Sequence, residues 1–189
     1  MYERLNQLIR EKIRVTDEEL NLVLSLFRPL TVPRNKWLLE KGSVADHLYF
    51  IVRGCLRLYY TQADGSEATR FMAFEDTFLT SMVSFIYRQP AAEYIETVEP
   101  ATLLTISWRD FCSLRERIPA WEKFYIYLLE YGILVNTNRL NSILTLNATE
   151  RYRQLLKENP DLVQRLSNGN LAAYLNISPE TLSRLKSHI

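Results

Sequence analysis

The sequence is poor in the residues from which reactive centres are built. It holds two cysteines, two histidines and five glycines among 189 residues. Cys55 and Cys112 are far apart and form no C-x-x-C pair, so the reading is two buried thiols in a reducing cytoplasm. A metal site on a small β-barrel enzyme wants about three histidines and a carboxylate. Only His47 and His188 exist, and no nucleophile stands at a supporting distance from a base, so the chain is not expected to be an enzyme and no cofactor or metal is assigned. No stretch approaches the roughly 20 apolar residues of a membrane span. The first residues, MYERLNQLIREKI, are charged and lack the apolar centre of a secretory signal. A soluble, cytoplasmic protein with no membrane partner is expected. Net charge is only +1, so any nucleic-acid contact must be local.

Apolar and aromatic residues are plentiful, with eleven Tyr, eight Phe and three Trp, which is enough for a sizeable core. Leu5, Leu8 and Ile9 share one face of a first helix over 2–13. Thr16 and Glu19 form a capping box ahead of a second, whose stripe is Leu20, Val23, Leu24 and Phe27, and Pro29 helps to stop it. From about 30 to 107 the pattern changes to short strands. Leu56, Leu58 and Tyr60 alternate with Cys55, Arg57 and Tyr59, a period of two. Ala63-Asp64-Gly65 is a hairpin turn. Segments 94–98 and 102–106, flanking Pro100, are expected to pair with each other. The spacing predicts an antiparallel roll or barrel.

Helical signals resume at Ser107, the cap of 108–116. Pro119 opens a long helix over 119–145. Its apolar residues cover two faces: Trp121, Phe124, Leu128, Tyr131 and Val135 on one, Leu129, Ile133, Leu140, Ile143 and Leu144 on another. One small sheet cannot cover both, so one face is assigned to the roll and the other to a second copy of the chain. Asn147 and Glu150 make another capping box. The expected division is a roll domain over 1–118, a dimerisation helix over 119–146 and a small helical domain over 147–189. Within the last, Ser167-Asn168-Gly169 reads as a turn between helices.

The final segment has the grammar of a helix-turn-helix. Ala172 is small where two helices must cross, Leu171 and Leu175 form one apolar face, and Asn176 tolerates the left-handed backbone of the turn. Ile177 and Leu182 fill the space between the helices. Ser178 caps the second helix and Pro179 occupies its first position. Ser178, Pro179, Glu180, Thr181, Ser183, Arg184 and Lys186 are therefore the candidate DNA-binding residues. Residues 150–189 hold six basic against four acidic side chains, a modest local excess.

These motifs together resemble the Crp/Fnr family, the regulators related to the cyclic AMP receptor protein. Val52-Arg53-Gly54 before Leu56-Arg57-Leu58 is similar to its strand-turn-strand, and Asp76-Thr77-Phe78 to its Gly-Asp-Phe turn without the Gly. Ile118-Pro119 opens the long helix, and Ser178–Arg184 supplies the reading motif. The resemblance implies an α+β chain: an antiparallel β-roll of the jelly-roll, cyclic-nucleotide-binding type, then the long helix, then an all-α helix-turn-helix domain. It implies a homodimer through 119–146, a palindromic double-stranded DNA operator, contact with RNA polymerase and a small-molecule effector. Glu180 and Arg184 fall on base-reading positions. No hairpin wing is evident after the recognition helix.

The departures fall in the ligand cassette. The family places Glu and then Arg on the ribose and phosphate of a cyclic nucleotide. Here Leu79-Thr80-Ser81 and Ala91-Ala92-Glu93 stand instead, with Ser81 at the Glu position and Ala91 at the Arg position. Without that Arg a buried phosphate has no partner, and tight cyclic AMP or cyclic GMP binding is not expected. The cysteine cluster of the iron–sulfur members is missing too. The possible effector pocket comprises Arg70, Ser81, Ala91, Ala92, Asn136 and Thr137, with Tyr59 and Tyr94 on nearby strands. Asn136 equally suits a polar register position at a dimer seam, with Arg70 exposed. Two other readings stay open: a roll that binds a small ligand or a protein without reading DNA, and a jelly-roll enzyme of the cupin kind.

Overall fold

The computed structural model describes residues 1–188; Ile189, beyond which a wing would begin, lies outside them. The chain divides into two compact units. The first joins Met1–Leu58 to Met72–Tyr131; the second joins Tyr59–Phe71 to the chain from Gly132 on.

In the first unit, α1 (Glu3–Lys12) and α2 (Asp17–Leu26) bury Leu5, Ile9, Leu20 and Val23. The Thr16–Glu19 capping box forms as the spacing requires, with both reciprocal hydrogen bonds present. The strands that follow are β1 (Arg28–Val32), β2 (Trp37–Leu39), β3 (His47–Arg53), β4 (Leu56–Thr61), β5 (Glu67–Ala73), β6 (Phe78–Leu79), β7 (Tyr94–Thr97) and β8 (Ala101–Ser107). They make two four-stranded sheets, ordered β1-β8-β3-β6 and β2-β7-β4-β5. That is the alternation of a jelly roll, and the α+β class is as expected. Pro29 lies on β1, an edge strand, where a missing N–H costs no central ladder bond.

One pairing differs from expectation. Segments 94–98 and 102–106 do not pair with each other: β7 pairs with β2 in one sheet, and β8 with β1 and β3 in the other. The chain changes sheets between them. The Val98 N–H goes to the Cys55 carbonyl at 2.8 Å, and Pro100 and Ala101 run hard against Gly54.

A helix α3 (Met82–Tyr87) follows β6, and α4 (Trp108–Arg117) follows β8, capped by Ser107 accepting from the Asp110 N–H. The long helix α5 runs Trp121–Thr145, two residues later than Pro119 suggests, because the Trp121 N–H closes a turn on the Ile118 carbonyl. Its start buries Trp121, Phe124 and Leu128. The Phe124 ring lies edge-on to Phe78 at 5.8 Å and stacks on Trp121 at 4.6 Å, so this end of α5 closes the aromatic core of the roll. None of the helices among the described residues is long and apolar enough to cross a membrane.

The second unit carries the rest of α5, then α6 (Ala148–Glu158), α7 (Pro160–Arg165), α8 (Asn168–Leu175) and α9 (Pro179–His188). It also holds the tip of the β4–β5 hairpin, where the Gln62 N–H bonds the Ser66 carbonyl and Gly65 has φ +83°. The Asn147–Glu150 capping box is formed. Ser167-Asn168-Gly169 is not a free turn. Ser167 is the N-cap of α8, its hydroxyl accepting from the Asn170 N–H, and Asn168 and Gly169 lie in the first helical turn. Asn and Gly are tolerated there because the cap satisfies a backbone donor that would otherwise favour a coil.

Candidate functional site

The reading motif is built by α8 and α9. Leu171, Ala172, Leu175 and Leu182 are buried, with Ala172 and Leu182 almost wholly closed to solvent. The alanine lets the helices approach, and Leu182 fills the angle between them. The turn is made by Asn176 in the left-handed region, φ +54° and ψ +50°. The Asn176 and Ile177 N–H groups then close onto the carbonyls of Ala173 and Ala172. Ser178 caps the second helix by accepting from the Thr181 N–H at 3.2 Å, and Pro179 sits at the first helical position.

The predicted reading residues divide by face. Ser178, Pro179, Glu180, Ser183 and Arg184 are exposed, and Thr181 is half-buried. Glu180 and Arg184 lie four residues apart and share one face. Hydrogen bonding to Ser178 holds the Glu180 carboxyl below its ordinary range, and the Arg184 charge adds to this. The Arg184 guanidinium lies 3.5 Å from the Thr181 hydroxyl. Lys186 turns away from that face: its Nζ donates to Asn168 Oδ1 at 2.6 Å, tying α9 to the start of α8.

The cassette positions lie in the first unit. The Thr80 hydroxyl donates to the His47 carbonyl. Ser81 precedes α3 without capping it, because its hydroxyl donates instead to Glu93 Oε1 at 2.8 Å, and both residues are buried. Ala91 is buried, with its N–H on the Ser43 carbonyl, while Ala92 is exposed. The arginine of this stretch, Arg88, is committed elsewhere. It donates to the Ala45 carbonyl and to Asp46, and lies 4.7 Å over the Trp108 ring. Glu93 was not singled out from the sequence; its signal is a carboxylate two residues past the position where the cassette's arginine would stand.

Residues 29–117 match the cyclic nucleotide-binding domain family. The chain is 25% identical over 172 residues to the cyclic AMP receptor protein of Thermus thermophilus, covering 89% of this chain and 79% of that protein. Among solved structures it resembles the c-di-GMP-responsive global regulator CLP of Xanthomonas campestris, with a TM-score of 0.72 and 19% identity over 92% of this chain and 91% of that one. It also resembles a protein of Eubacterium rectale assigned to the Crp/Fnr transcriptional regulators, with a TM-score of 0.72 and 14% identity over 92% and 83% of the two chains. Residues 29–117 therefore form a cyclic nucleotide-binding domain, in a chain similar over most of its length to a cyclic AMP receptor protein.

Of the remaining pocket candidates, Arg70, Asn136 and Thr137 lie in the second unit. Arg70 Nε donates to Asn136 Oδ1 and its Nη1 to the Tyr60 hydroxyl, each at 3.1 Å. Asn136 Nδ2 donates to the Gly132 carbonyl. Arg70 is half-buried and bonded rather than exposed, and Asn136 is exposed. Thr137 is exposed. Tyr94 packs its ring against Trp37 at 5.9 Å, and Tyr59 is buried. The six positions therefore form two separate groups: Ser81, Ala91 and Ala92 in one unit, Arg70, Asn136 and Thr137 in the other.

Two residues of the second unit went unnoticed in the sequence. Arg139 donates to the carbonyls of Tyr174 and Thr69, and Arg151 to those of Leu175 and Leu146. The available signal is that Arg139 is the one charged residue between Glu130 and Glu150.

Proposed function

We propose that this chain is a cytoplasmic, sequence-specific DNA-binding transcription regulator of the Crp/Fnr type, acting as a homodimer and not as an enzyme. The observation that carries this reading is the capped helix α9, which holds Glu180 and Arg184 side by side in solvent after a left-handed Asn176. A helix presented in this way fits the major groove of DNA. Arg184 suits a guanine edge, where a bidentate contact discriminates strongly. The hydroxyls of Ser178 and Thr181 suit backbone phosphates. The functional division is a roll over 1–118, a connecting helix over 119–146 and a reading domain over 147–189, with RNA polymerase as a further partner.

Dimerisation is assigned to one face of α5. Ile126, Glu130, Ile133, Thr137, Leu140 and Leu144 follow one another at steps of four and three, and all are exposed. Ile133 and Leu144 are 65% and 72% exposed, too much apolar surface to leave in water along one helical stripe. A second copy of the same helix covers such a seam.

For the reading helix, Arg184→Ala should weaken binding to a duplex selected by the wild-type chain by about ten- to a hundredfold. Fluorescence anisotropy at fixed salt measures it, and unchanged affinity would contradict the assignment. For the roll, the buried Ser81–Glu93 pair offers a carboxyl acceptor where a cyclic phosphate needs donors. Cyclic AMP at a hundred times a physiological dissociation constant would add about 2.7 kcal/mol to a true receptor. Here it should leave the melting temperature unchanged, and a clear rise would overturn this part of the reading.

A further inference from the structure

The second half of α5 has a face opposite the exposed seam. There a cleft of about 350 Å³ opens among α5, α6 and the end of α8. That volume suits a small molecule. Val135, Ile143, Leu155 and Tyr174 give it apolar walls. Its cations are Arg139 and Arg151. Arg139 donates Nη1 to the Tyr174 carbonyl at 2.8 Å and Nη2 to the Thr69 carbonyl at 2.7 Å, and lies 4.9 Å from the Tyr174 ring. Arg151 donates Nε to the Leu175 carbonyl at 3.0 Å and Nη1 to that of Leu146 at 2.6 Å.

These bonds fix both guanidinium groups but leave their charge unmet. Among the described residues no carboxylate pairs with either arginine. Glu158, which also lines the cleft, accepts from Gln154 instead. Burial pushes Arg139 below its ordinary value, and the Arg151 charge pushes in the same direction. Two cations that share a partly desolvated cavity without a counter-ion are unfavourable unless an anion joins them. Arg139 Nε and Arg151 Nη2 make no hydrogen bond among the described residues and are free to bind it.

We propose that this cleft binds a small organic anion, its oxyanion head between Arg139 and Arg151 and its apolar body against Val135, Leu155 and Tyr174. The inference deepens the regulator reading by giving it an effector site outside the roll cassette. Since Arg139 and Arg151 also hold the last two carbonyls of α8, beside the turn at Asn176, an occupant would bear directly on how the reading motif is anchored.

The test titrates phenyl phosphate and benzoate into the full chain by calorimetry at constant ionic strength, with phenol as the neutral control. At least one acid should bind saturably, one per chain, while phenol does not. Arg151→Gln should weaken binding at least about tenfold, the loss of one charged hydrogen-bonding partner. Ser142→Tyr, which fills the cleft without touching either arginine, should do the same. It decides the matter if the arginine variant fails to fold by circular dichroism. No saturation by either acid below about 10 mM, a weaker affinity than a ligand site warrants, would overturn the proposal. So would equal affinity in the folded variants, or phenol binding as well as the acids. The readout is occupancy, so loss of operator binding with the acid still bound would fail the regulator reading alone.

Discussion

Replacing Ile133 and Leu140 together by aspartate should convert the protein to a monomer and weaken operator binding at least a hundredfold. The two positions are the middle of the exposed stripe on α5, at 65% and 56% exposure in the single chain. In a paired helix each aspartate would face its own copy across the seam, adding like-charge repulsion to the lost apolar contact. A dimer reads two half-sites in one event; a monomer reads one, with about half of the binding free energy. Specific operators are held at about 10⁻⁸–10⁻¹¹ M, so halving that free energy costs orders of magnitude. The roll should survive, because the α5 residues that close its core are Trp121, Phe124 and Leu128, well before the substitutions. Sedimentation at micromolar concentration gives the mass, and anisotropy the affinity. A variant that remains a dimer would move the interface elsewhere.

The largest stability effect is expected at Gly54. Its φ is +107°, a backbone conformation that side chains rarely adopt, and an added Cβ would come within 2.8 Å of the Ala101 Cα and 2.9 Å of the Pro100 carbonyl. Neither obstacle can swing aside, since both belong to the backbone at the start of β8, between β1 and β3. Gly54→Ala combines backbone strain of about 1–3 kcal/mol with overpacking of similar size. For a chain of this length the sum should lower the melting temperature by roughly 10 °C or more. Gly65→Ala is the control. Its φ is also positive, at +83°, but nothing lies within 4 Å of the new methyl group. It should cost only the backbone term. Equal melting temperatures would show that close approach to Ala101 does not matter.

Local features were legible in the sequence because they are decided by neighbours in the chain. Thr16 with Glu19, Asn147 with Glu150, the left-handed Asn176 and the Ser178 cap each involve residues within four positions of one another. Strand pairing was less so. Segments 94–98 and 102–106 look like a hairpin around Pro100. The partners of β7 and β8 are strands tens of residues away, and the chain changes sheets where Gly54 lies close against Ala101. Asn168-Gly169 has turn composition, and only the Ser167 cap turns it into a helix start.

The site was legible in the same uneven way. The altered cassette is visible as missing residues, yet what replaces it, the Ser81–Glu93 hydrogen bond, spans twelve positions and depends on burial. Asn136 draws notice as a polar break in an apolar helix, but its partner Arg70 comes from the β4–β5 hairpin. Arg139 has no motif at all. Its contacts, Thr69 and Tyr174, lie 70 and 35 residues away.

A helix-turn-helix dimer of the kind proposed reads a two-fold symmetric site on double-stranded DNA. Selection of bound duplexes from a random pool by the full chain tests it most directly. The expected result is enrichment of an inverted repeat whose half-sites lie about 10–10.5 base pairs apart, centre to centre, with Arg184→Ala relaxing one base position in each half. A pool that enriches no sequence, or a single asymmetric site indifferent to Arg184, would contradict it.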